Sequence, residues 1–397
     1  MKFSILPELL RPHVNRCERI VKSDMRSPMR AIHACIEIRA TPTQLEFRAQ
    51  DPSICYRGVE LVGGVEDSGV VLVDCAQFGH VLKTRFDSVP MHVWVERESL
   101  HIKQGEFRCK LPLLRTEEMQ PVDFSGPFEF EARLSYEHIA DILRCGSSID
   151  DDSSCQGLLL DFTGENIFRI VGISQSVLQV ASHDLPHEKA MRRSMAPIAL
   201  GVLAAFPSAG CKLGIDESGE KIFFVSEEVS LRVSTVEDTY PIGYHKYLGL
   251  HKWPEKVFPI VKMNKNGEVA SEKPRSFLTF NRDDTLAAIS AVASVLIKGD
   301  ALVTMTVGQK AGDRLVAEFA AENKIASAKA SEKVLVGSSD LENVLEIGLP
   351  HQKILQCLKS YKADTFTMQL GGAGDTILLL EEGREHMTSF YVPLRVQ

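Results

Sequence analysis

Hydrophobic and polar residues alternate along three short stretches of the chain, and each stretch follows a segment with helical spacing. The stretches MHVWVE, KIFFVS and TILLLE have the period of two that is typical of half-buried β-strands. The segments before them, CAQFGHVLKTRF, APIALGVLAAF and PHQKILQCLKSY, each predict one short amphipathic helix. The pattern therefore predicts three units in which a helix precedes several strands.

A related unit precedes each of these three. The helical segments LLRPHVNRCERIV, YEHIADILRCGSSI and DTLAAISAVASVLI are followed by the strand-like segments CIEIRATPTQLEFRAQD, GLLLDFTGENIFRIVG and LVTMTVGQKAGDRLVAEFA. An internal period of this kind determines the architecture before any motif does. We therefore predict an α+β protein of three repeated domains, each with two helices packed on antiparallel sheets.

The repeat places the domain boundaries in segments that are rich in turn residues. We predict domains over residues 1–125, 126–250 and 251–397, each of about 130 residues, which is near the usual domain size. The second connector, at residues 240–276, contains several prolines, and its Asn266-Gly267 pair predicts a β-hairpin.

Composition shows that the chain has the material for packed cores. Of its 397 residues 44% are hydrophobic, which excludes an intrinsically disordered chain. No run approaches the roughly 20 apolar residues that span a bilayer. The N-terminal MKFSILPELLRPHVNR lacks the apolar core of a secretory signal. We expect a cytoplasmic protein that does not contact membranes.

The nine cysteines are odd in number and widely spread. None forms a CxxC pair, so the sequence indicates neither a zinc site nor a disulfide framework. Buried thiols in a reducing compartment are the expected state of such residues. The nine are Cys17, Cys35, Cys55, Cys75, Cys109, Cys145, Cys155, Cys211 and Cys357.

The net charge of −8 is not that of a protein with a general affinity for nucleic acid, yet the predicted helices carry basic residues around their apolar stripes. For any one helix an ordinary solvated face explains such residues. All six helices show them, however, and repeats that place the helices on one side would gather the positive charge on one surface. The residues of this predicted basic surface are Arg11, Arg16, Arg19, Lys22, Lys83, Arg85, Arg144, Arg192, Arg193, Lys298, Lys353 and Lys359, with Lys362 beside them.

Catalytic and metal-binding patterns are scarce in the sequence. His183 and His187 have a metal-like spacing of four, but a proline lies between them and no third ligand is near in the sequence. Three consecutive acids, at 150–152, are typical of a solvated loop, and LGGAGD at 370–375 is typical of a turn between strands. No GxSxG, Walker or HExxH motif occurs. We predict no catalytic residue, no metal and no cofactor, and hence no enzyme.

Four segments, MKFSILPELL, LEFRAQDPSICYRGVEL, LHIKQGEFRCKLPLL and the terminal YVPLRV, follow one another in an order that resembles the bacterial DNA sliding clamps. These are the beta subunits of the replicative DNA polymerase III holoenzyme. The resemblance runs over nearly the whole chain and implies a homodimeric ring of repeated clamp domains whose helices face duplex DNA through sequence-independent phosphate attraction. It also implies a processivity factor, with the replicative polymerase, a clamp loader and other clamp-binding peptides as partners.

The resemblance implies an interface and a pocket as well. In the family an edge strand of domain 1 pairs with domain 3 of the other subunit, and the matching residues here are Phe107 on one side and Val295, Leu296 and Ile297 on the other. Partner peptides bind between domains 2 and 3, in a pocket built partly from the C-terminal strand. The matching positions are Cys155, Ile173, Gln175, Ser176, Val177, Leu178, Pro241, Lys246, Gly374, Thr376, Val392, Pro393, Leu394 and Arg395.

Two stretches depart from the family pattern. Where many members have Thr-Asp-Gly-His-Arg-Leu, this chain has ISQSVL at 173–178, so the polar rim of the pocket, and with it the preferred partner motif, is changed. Tyrosines that often precede the Gly157 position in the family, where one of them contacts DNA, are replaced by Ser153, Ser154 and Cys155. The divergence suggests a lineage-specific, plasmid or phage form.

Two other hypotheses remain open from the sequence. A non-ring scaffold of replication or repair proteins would use the same pocket without encircling DNA. An unrecognised hydrolase would need acid–base residues that no motif supplies. Ring formation and retention on circular DNA separate the clamp from both.

Overall fold

The structure of the protein is a computed structural model. It describes residues 1–21, 34–114, 122–147, 149, 157–174, 177–204, 206, 210–237, 240, 258–264, 268–296, 302–311, 314–323, 327–341, 343–373, 375–384 and 386–392. None of the helices in these ranges is long and apolar enough to cross a membrane.

Six α-helices lie in the described ranges, one in each segment that the sequence predicts to be helical. Two of them begin at a capping side chain, since Asp74 Oδ1 accepts from the Gln77 N–H at 2.8 Å and Asn281 Oδ1 accepts from the Asp284 N–H at 3.0 Å. The helices are α1 (Pro7–Ile20), α2 (Cys75–Lys83), α3 (Tyr136–Gly146), α4 (Leu200–Leu203), α5 (Arg282–Ala293) and α6 (His351–Ser360).

Strands make up most of the remaining described chain, and the alternating stretch MHVWVE forms one of them from end to end. The strands are β1 (Lys2–Ile5), β2 (Cys35–Ala40), β3 (Gln44–Asp51), β4 (Ile54–Leu61), β5 (Val65–Asp67), β6 (Gly69–Asp74), β7 (Met91–Glu96), β8 (Ser99–Gln104), β9 (Phe107–Leu114), β10 (Phe130–Leu134), β11 (Leu158–Phe162), β12 (Ile167–Ile173), β13 (Val177–Asp184), β14 (Met191–Met195), β15 (Cys211–Ile215), β16 (Lys221–Val225), β17 (Val229–Val236), β18 (Ile260–Met263), β19 (Val269–Lys273), β20 (Ser276–Asn281), β21 (Val303–Ala311), β22 (Arg314–Asn323), β23 (Ala328–Ser339), β24 (Leu345–Leu349), β25 (Thr365–Leu370), β26 (Ile377–Glu381) and β27 (Met387–Tyr391).

The order of these elements repeats three times. Each repeat runs strand, helix, four strands, helix, three strands, beginning at β1, β10 and β20, and the first repeat has the additional short strand β5. The predicted α+β class and threefold repeat are therefore confirmed. The boundaries 1–125, 126–250 and 251–397 stay a prediction.

The chain divides into two compact units. The first comprises Met1–Gly146, Leu160–Ile167 and Leu185–Glu237, and the second comprises Ser147–Leu159, Phe168–Asp184 and Asp238–Gln397. In the first unit the strands pair antiparallel in the order β6–β2–β3–β4–β17–β16–β15–β10. In the second they pair antiparallel in the order β13–β27–β26–β25–β20–β23–β22–β21–β24.

Each unit contains a junction at which one repeat continues the sheet of the next. In both junctions the fourth strand of one repeat pairs with the last strand of the following repeat over five residue pairs, Ile54–Gly58 with Val229–Val233 and Val177–Ala181 with Met387–Tyr391. The next backbone N–H then donates across the junction in both cases, from Val59 to Glu228 O and from Ser182 to His386 O, each at 2.8 Å. The two junctions thus share one register.

The second connector contains a two-stranded sheet of its own. Strands β18 and β19 pair antiparallel from Ile260↔Lys273 to Met263↔Val269, which confirms the predicted hairpin. Asn266 and Gly267, which carried that prediction, lie outside the described residues.

The described cysteines are thiols without disulfide bonds. Seven of the eight are buried and Cys109 is half-buried, as the sequence analysis expects. Burial raises the pKa of the Cys55 thiol to about 11 and that of the Cys211 thiol to about 12, so both are protonated and unreactive at neutral pH. Cys155 lies outside the described residues.

Candidate functional site

The structure describes five of the predicted pocket residues, all in the second unit. Ile173 ends β12, Val177 and Leu178 begin β13, Thr376 precedes β26, and Val392 follows β27. The others lie outside the described residues: Cys155, Gln175, Ser176, Pro241, Lys246, Gly374, Pro393, Leu394 and Arg395.

An apolar cluster supports this surface. Ile173 and Leu178 are half-buried and pack on it, whereas Val177 is 4% exposed and belongs to the core of the third repeat with Tyr391. Because side chains alternate along β13, Leu178 faces away from that core. The cluster consists of Leu159, Val171, Val180, Tyr240, Phe258, Leu378, Leu380 and Phe390.

Two polar side chains hold the connector segment against this cluster. The Tyr240 hydroxyl lies 2.8 Å from Gly157 O and 3.0 Å from Val171 O. The Arg275 guanidinium donates to Phe258 O at 2.9 Å, to Thr376 Oγ1 at 2.8 Å and to Thr376 O. Burial lowers the pKa of Arg275 to about 10, against the opposing effect of Asp375, so it remains charged at neutral pH. The position of Thr376 is therefore fixed by a half-buried cation.

The end of the described chain divides between core and surface. Phe390 and Tyr391 are buried, while Val392 is 51% exposed. Phe390 therefore packs in the core, and Val392 is exposed beside the end of β27.

The predicted basic residues lie on several different elements. Arg11, Arg16 and Arg19 are on α1, Lys83 ends α2, Arg144 is on α3, and Lys353 and Lys359 are on α6. Arg85 and Lys362 follow the ends of α2 and α6. Lys22 and Lys298 lie outside the described residues.

Several of these cations have protein partners. Arg11 donates to Leu82 O from Nε at 3.1 Å and from Nη2 at 2.9 Å, and it also contacts Arg85 O and Asp87. Lys83 pairs with Glu18 at 2.8 Å. These two therefore contribute less free positive charge to a surface than the sequence suggests.

Two other members of the same α1 set are also engaged. Arg19 donates to Gly201 O on α4 at 2.6 Å, and Arg16 donates to the Tyr56 hydroxyl at 3.2 Å. Lys359, in contrast, is exposed at the end of α6. It is the clearest candidate for a solvent-facing cation on a helix.

The expectation that all six helices are basic is wrong for α4, and in α5 the basic residue is not the predicted Lys298. Arg192 and Arg193 lie on strand β14, because helix formation begins only after Ala196-Pro197. The short helix α4 (LGVL) that follows has no basic residue. In α5 the one basic residue is Arg282 at the first position, since the helix ends at Ala293, before the position of Lys298.

The predicted interface residue Phe107 begins the edge strand β9. The Arg85 guanidinium lies 3.4 Å above the centre of its ring, a cation–π contact. Phe86, which follows Arg85, is 72% exposed although it is a large apolar side chain. Leu296 packs partly buried against the core of the third repeat, and Ile297 lies outside the described residues.

Two of the motifs that raised chemical alternatives, His187 and the glycine-rich stretch, have structural explanations. The ring nitrogens of His187 face Leu185 O at 2.7 Å and Thr163 O, while His183 stands beside His386 with ring centroids 4.8 Å apart. The glycine-rich stretch joins β25 to β26 and contains a turn in which Asp375 N–H donates to Gly372 O, as predicted. The acids at 150–152 lie outside the described residues.

Solved structures share this architecture over the whole chain. The sliding clamp of Pseudomonas aeruginosa bound to griselimycin matches with a TM-score of 0.81 at 16% sequence identity, and the DNA polymerase III beta subunit of Thermotoga maritima with 0.79 at 12%. The Helicobacter pylori beta clamp bound to a DNA ligase peptide matches with 0.75 at 16%. Each comparison covers 100% of both chains. The chain has the sliding-clamp fold.

Sequence comparison alone does not identify this clamp fold. No family model matches the chain, and no curated protein sequence matches it. The structural matches confirm the resemblance of the four segments at the level of the fold.

Three residues of the candidate pocket in this clamp fold escaped the sequence analysis. Tyr240, Phe258 and Arg275 come from the second connector, which lies outside the four segments that carry the resemblance. The one feature of the sequence that could have indicated these residues is the position of Tyr240 and Arg275 at the two ends of a proline-rich stretch.

Proposed function

We propose that the protein is a DNA sliding clamp, which encircles duplex DNA as a homodimeric ring and tethers a replicative DNA polymerase. The fold supports this function, and one observation carries it. Two of the three junctions that a closed series of repeats requires lie inside the chain, and the strands for a third are left with open edges.

The open edges belong to β9 and β23, which occupy the same positions in their repeats as the strands of the two internal junctions. Strand β9 pairs with β8 along its length and with β6 at Leu113 and Leu114. Strand β23 pairs with β22 and, from Val336 onward, with β20. Because these edges lie at opposite ends of the repeat series, β23 of one copy is free to pair with β9 of another.

The shared register of the internal junctions specifies the third one. Equivalent residues are found from the turns that precede these strands. Ile54, Val177 and Ala328 each begin the fourth strand of a repeat, and Val229 and Phe107 each begin the last strand of a repeat. The proposed junction then has the Lys333 N–H donating to Glu106 O of the other copy. Its five pairs are Ala328↔Leu111, Lys329↔Lys110, Ala330↔Cys109, Ser331↔Arg108 and Glu332↔Phe107. In this register Phe107 lies opposite Glu332 and not opposite Val295, Leu296 and Ile297, the partners that the resemblance implies.

A disulfide tests this register. At the β4–β17 junction the flanking bonds make Tyr56↔Leu231 a non-hydrogen-bonded pair, and Ala330↔Cys109 is its equivalent. In such pairs the Cα atoms are about 4.5 Å apart, within the range that a disulfide spans. We expect Ala330→Cys to cross-link to the native Cys109 of another copy under mild oxidation, giving a species of twice the 44.0 kDa chain.

The matched control is Ala330→Cys with Cys109→Ala, which we expect not to cross-link. Gel filtration of the unmodified protein at micromolar concentration reports the assembly without any substitution. A monomer in that measurement, together with no cross-link, would contradict the ring and favour a non-ring scaffold. Retention of the cross-linked protein on nicked circular DNA, lost when the DNA is linearised, tests encirclement.

We propose that the surface of Ile173, Leu178 and Val392 docks partner peptides. The half-buried apolar side chains and the exposed Val392 support this, since such peptides insert apolar anchors into a preformed groove.

The DNA ligase peptide that binds the Helicobacter pylori clamp, in a panel with polymerase-derived peptides, is a suitable probe. We expect Leu178→Asp to weaken binding at least about tenfold. Val344→Asp, at an exposed apolar residue, should leave it unchanged. Equal affinities of the two variants would show that the pocket is elsewhere.

A further inference from the structure

Strand β10 has an open edge that its equivalents in the other two repeats lack. Strand β1 pairs with β7 on one side and β5 on the other, and β20 pairs with β25 and β23. Within the described part of the second repeat, β10 pairs with β15 alone. The segment that should cover its other edge, residues 185–190, forms no strand.

The sequence of that segment explains why the edge stays open. The Leu185 N–H donates to Asn166 O at 2.8 Å, Pro186 has no N–H, and the His187 N–H donates to Asn166 Oδ1 at 3.4 Å. The N–H groups of Leu185 and His187 are therefore committed to the turn at Asn166, whose φ of 59° is in the left-handed region. The segment forms no strand beside β10, and a gap remains there.

The gap is a groove of about 1300 Å³, which is larger than the pockets of about 300–1,000 Å³ that hold small molecules. Its lining runs from Pro186–Glu188, across β10 and Phe128 and then Cys211–Lys212 on β15, to the turn at Val225–Glu228. Phe128 is fixed on Phe223 with ring centroids 5.1 Å apart, and Gly214 leaves room for it, because a Cβ there would lie 2.6 Å from the ring. The groove therefore has a rigid apolar floor beside an open strand edge.

The charge of the lining selects the occupant. Five glutamates line the groove. Lys189 neutralises Glu129 at 2.8 Å and Lys212 neutralises Glu131 at 2.6 Å. The other three, Glu188, Glu227 and Glu228, form no ion pair within the described part of the chain, and Arg133 is the one further cation in the lining. The excess of negative charge repels nucleic acid and attracts basic side chains.

We propose that this groove binds an extended, basic segment of a partner protein, which adds a strand to the open edge of β10 and holds its Lys or Arg side chains in the negative field of Glu188, Glu227 and Glu228. Main-chain hydrogen bonds to the edge supply affinity in such strand addition, and alternate side chains supply specificity. The site lies in the first unit and is independent of the proposed ring and peptide pocket.

An array of nonapeptides that alternate Val or Thr with Lys or Arg tests the proposal on the full chain. We expect these peptides to bind and the same peptides with Glu in place of the basic residues not to bind. N-methylation of alternate backbone nitrogens should abolish binding, because it removes strand hydrogen bonds without changing charge. The double variant Glu227→Lys, Glu228→Lys should weaken binding at least about tenfold, since it juxtaposes like charges.

Glu217→Lys is the matched control, since Glu217 is an exposed acid outside the groove, in the turn between β15 and β16. It should bind the peptides as the unmodified protein does. Binding that survives N-methylation, or that the double variant and Glu217→Lys reduce equally, would overturn strand addition in this groove, as would no binding at all. A change of oligomeric state in the double variant would assign the edge to a second copy of the chain instead.

Discussion

At the scale of single residues, His13 shows how burial decides protonation. It is 4% exposed, and its Nδ1 lies 2.8 Å from the Tyr56 hydroxyl while its Nε2 lies 3.2 Å from Glu60. A neutral ring that accepts from Tyr56 and donates to Glu60 satisfies both contacts. Burial, with a smaller effect of Arg16, lowers the pKa of His13 to about 4. Burial thus outweighs the nearby carboxylate, which alone would favour the charged ring.

We expect the free energy of unfolding to fall as the pH decreases from about 6.5 to about 4. In the unfolded chain His13 takes up a proton near its ordinary pKa of about 6.5, whereas the folded ring stays neutral until about pH 4. Protons therefore favour the unfolded state in this window, by an amount on the order of 2–3 kcal/mol. Urea unfolding at several pH values measures the loss.

His13→Gln and His80→Gln form a matched pair for this prediction, because His80 is exposed on α2. We expect His13→Gln to be less stable at neutral pH but less sensitive to acid, and His80→Gln to keep the full pH dependence. If both variants had the same slope, His13 would not be the group responsible.

At the scale of elements, Arg11 joins two helices instead of facing solvent. The last carbonyl groups of α2 lack partners inside the helix, as at every helix C-terminus, and the Arg11 guanidinium on α1 binds Leu82 O and Arg85 O. A positive charge at this end also complements the helix dipole. A residue predicted to face DNA is therefore a capping residue of the fold.

We expect Arg11→Gln to lower the free energy of unfolding by about 2 kcal/mol, because it leaves the carbonyl groups of α2 without a charged donor. Arg11→Lys should recover only part of this, since one ammonium group does not reproduce the guanidinium fork. Lys359→Gln, at an exposed helix position, should change the unfolding free energy by less than about 0.5 kcal/mol. Equal stability of the Arg11 and Lys359 variants would contradict the capping role.

The elements also show how far sequence reasoning reaches. Helices and strands follow from local periodicity, so segments such as MHVWVE and CAQFGHVLKTRF were predictable. The junctions were not, because Gly58 and Val229 are far apart in sequence and nothing local specifies their pairing. Gly58 illustrates the point, since a Cβ there would lie 2.2 Å from the Tyr56 hydroxyl and 2.3 Å from His13 Nδ1. The need for glycine is visible only once the neighbours are in place.

Only part of the candidate site, likewise, could be predicted from the sequence. The resemblance predicted Ile173, Leu178 and Val392 as pocket residues, although residues 173–178 depart from the family pattern. It could not locate Arg275, whose role depends on hydrogen bonds to Phe258 and Thr376, which are distant from it in sequence. Nor could spacing distinguish cations that face solvent, such as Lys359, from those held by protein partners, such as Arg11.

At the scale of the whole molecule, the proposed contact with DNA depends on which cations face solvent and which are held by protein partners. Each cation that neutralises a phosphate contributes about one unit to the slope of log affinity against log salt concentration. We expect Lys359→Gln to reduce that slope by about one. Arg11→Gln, despite the same loss of formal charge, should leave it unchanged. Titrations of duplex DNA over a range of salt concentrations measure both.

Lys273→Gln is the control for this measurement, because Lys273 is an exposed cation on the hairpin strand β19 and not on a helix. It should have the slope of the unmodified protein. If Lys273 and Lys359 had equal effects, binding would reflect total charge and not a helix surface.

The unequal covalent status of the three junctions has a kinetic consequence. The β4–β17 and β13–β27 junctions each join parts of one polypeptide, so their partners stay at a high effective concentration when they separate. The proposed β23–β9 junction has no such tether for its first contact, and its formation depends on protein concentration. Once one of the two junctions in a dimer has formed, the second closes intramolecularly. Dilution should therefore separate the two copies before it opens either internal junction. A ring that has opened at one β23–β9 junction should reclose at a higher rate than that at which two separate copies associate.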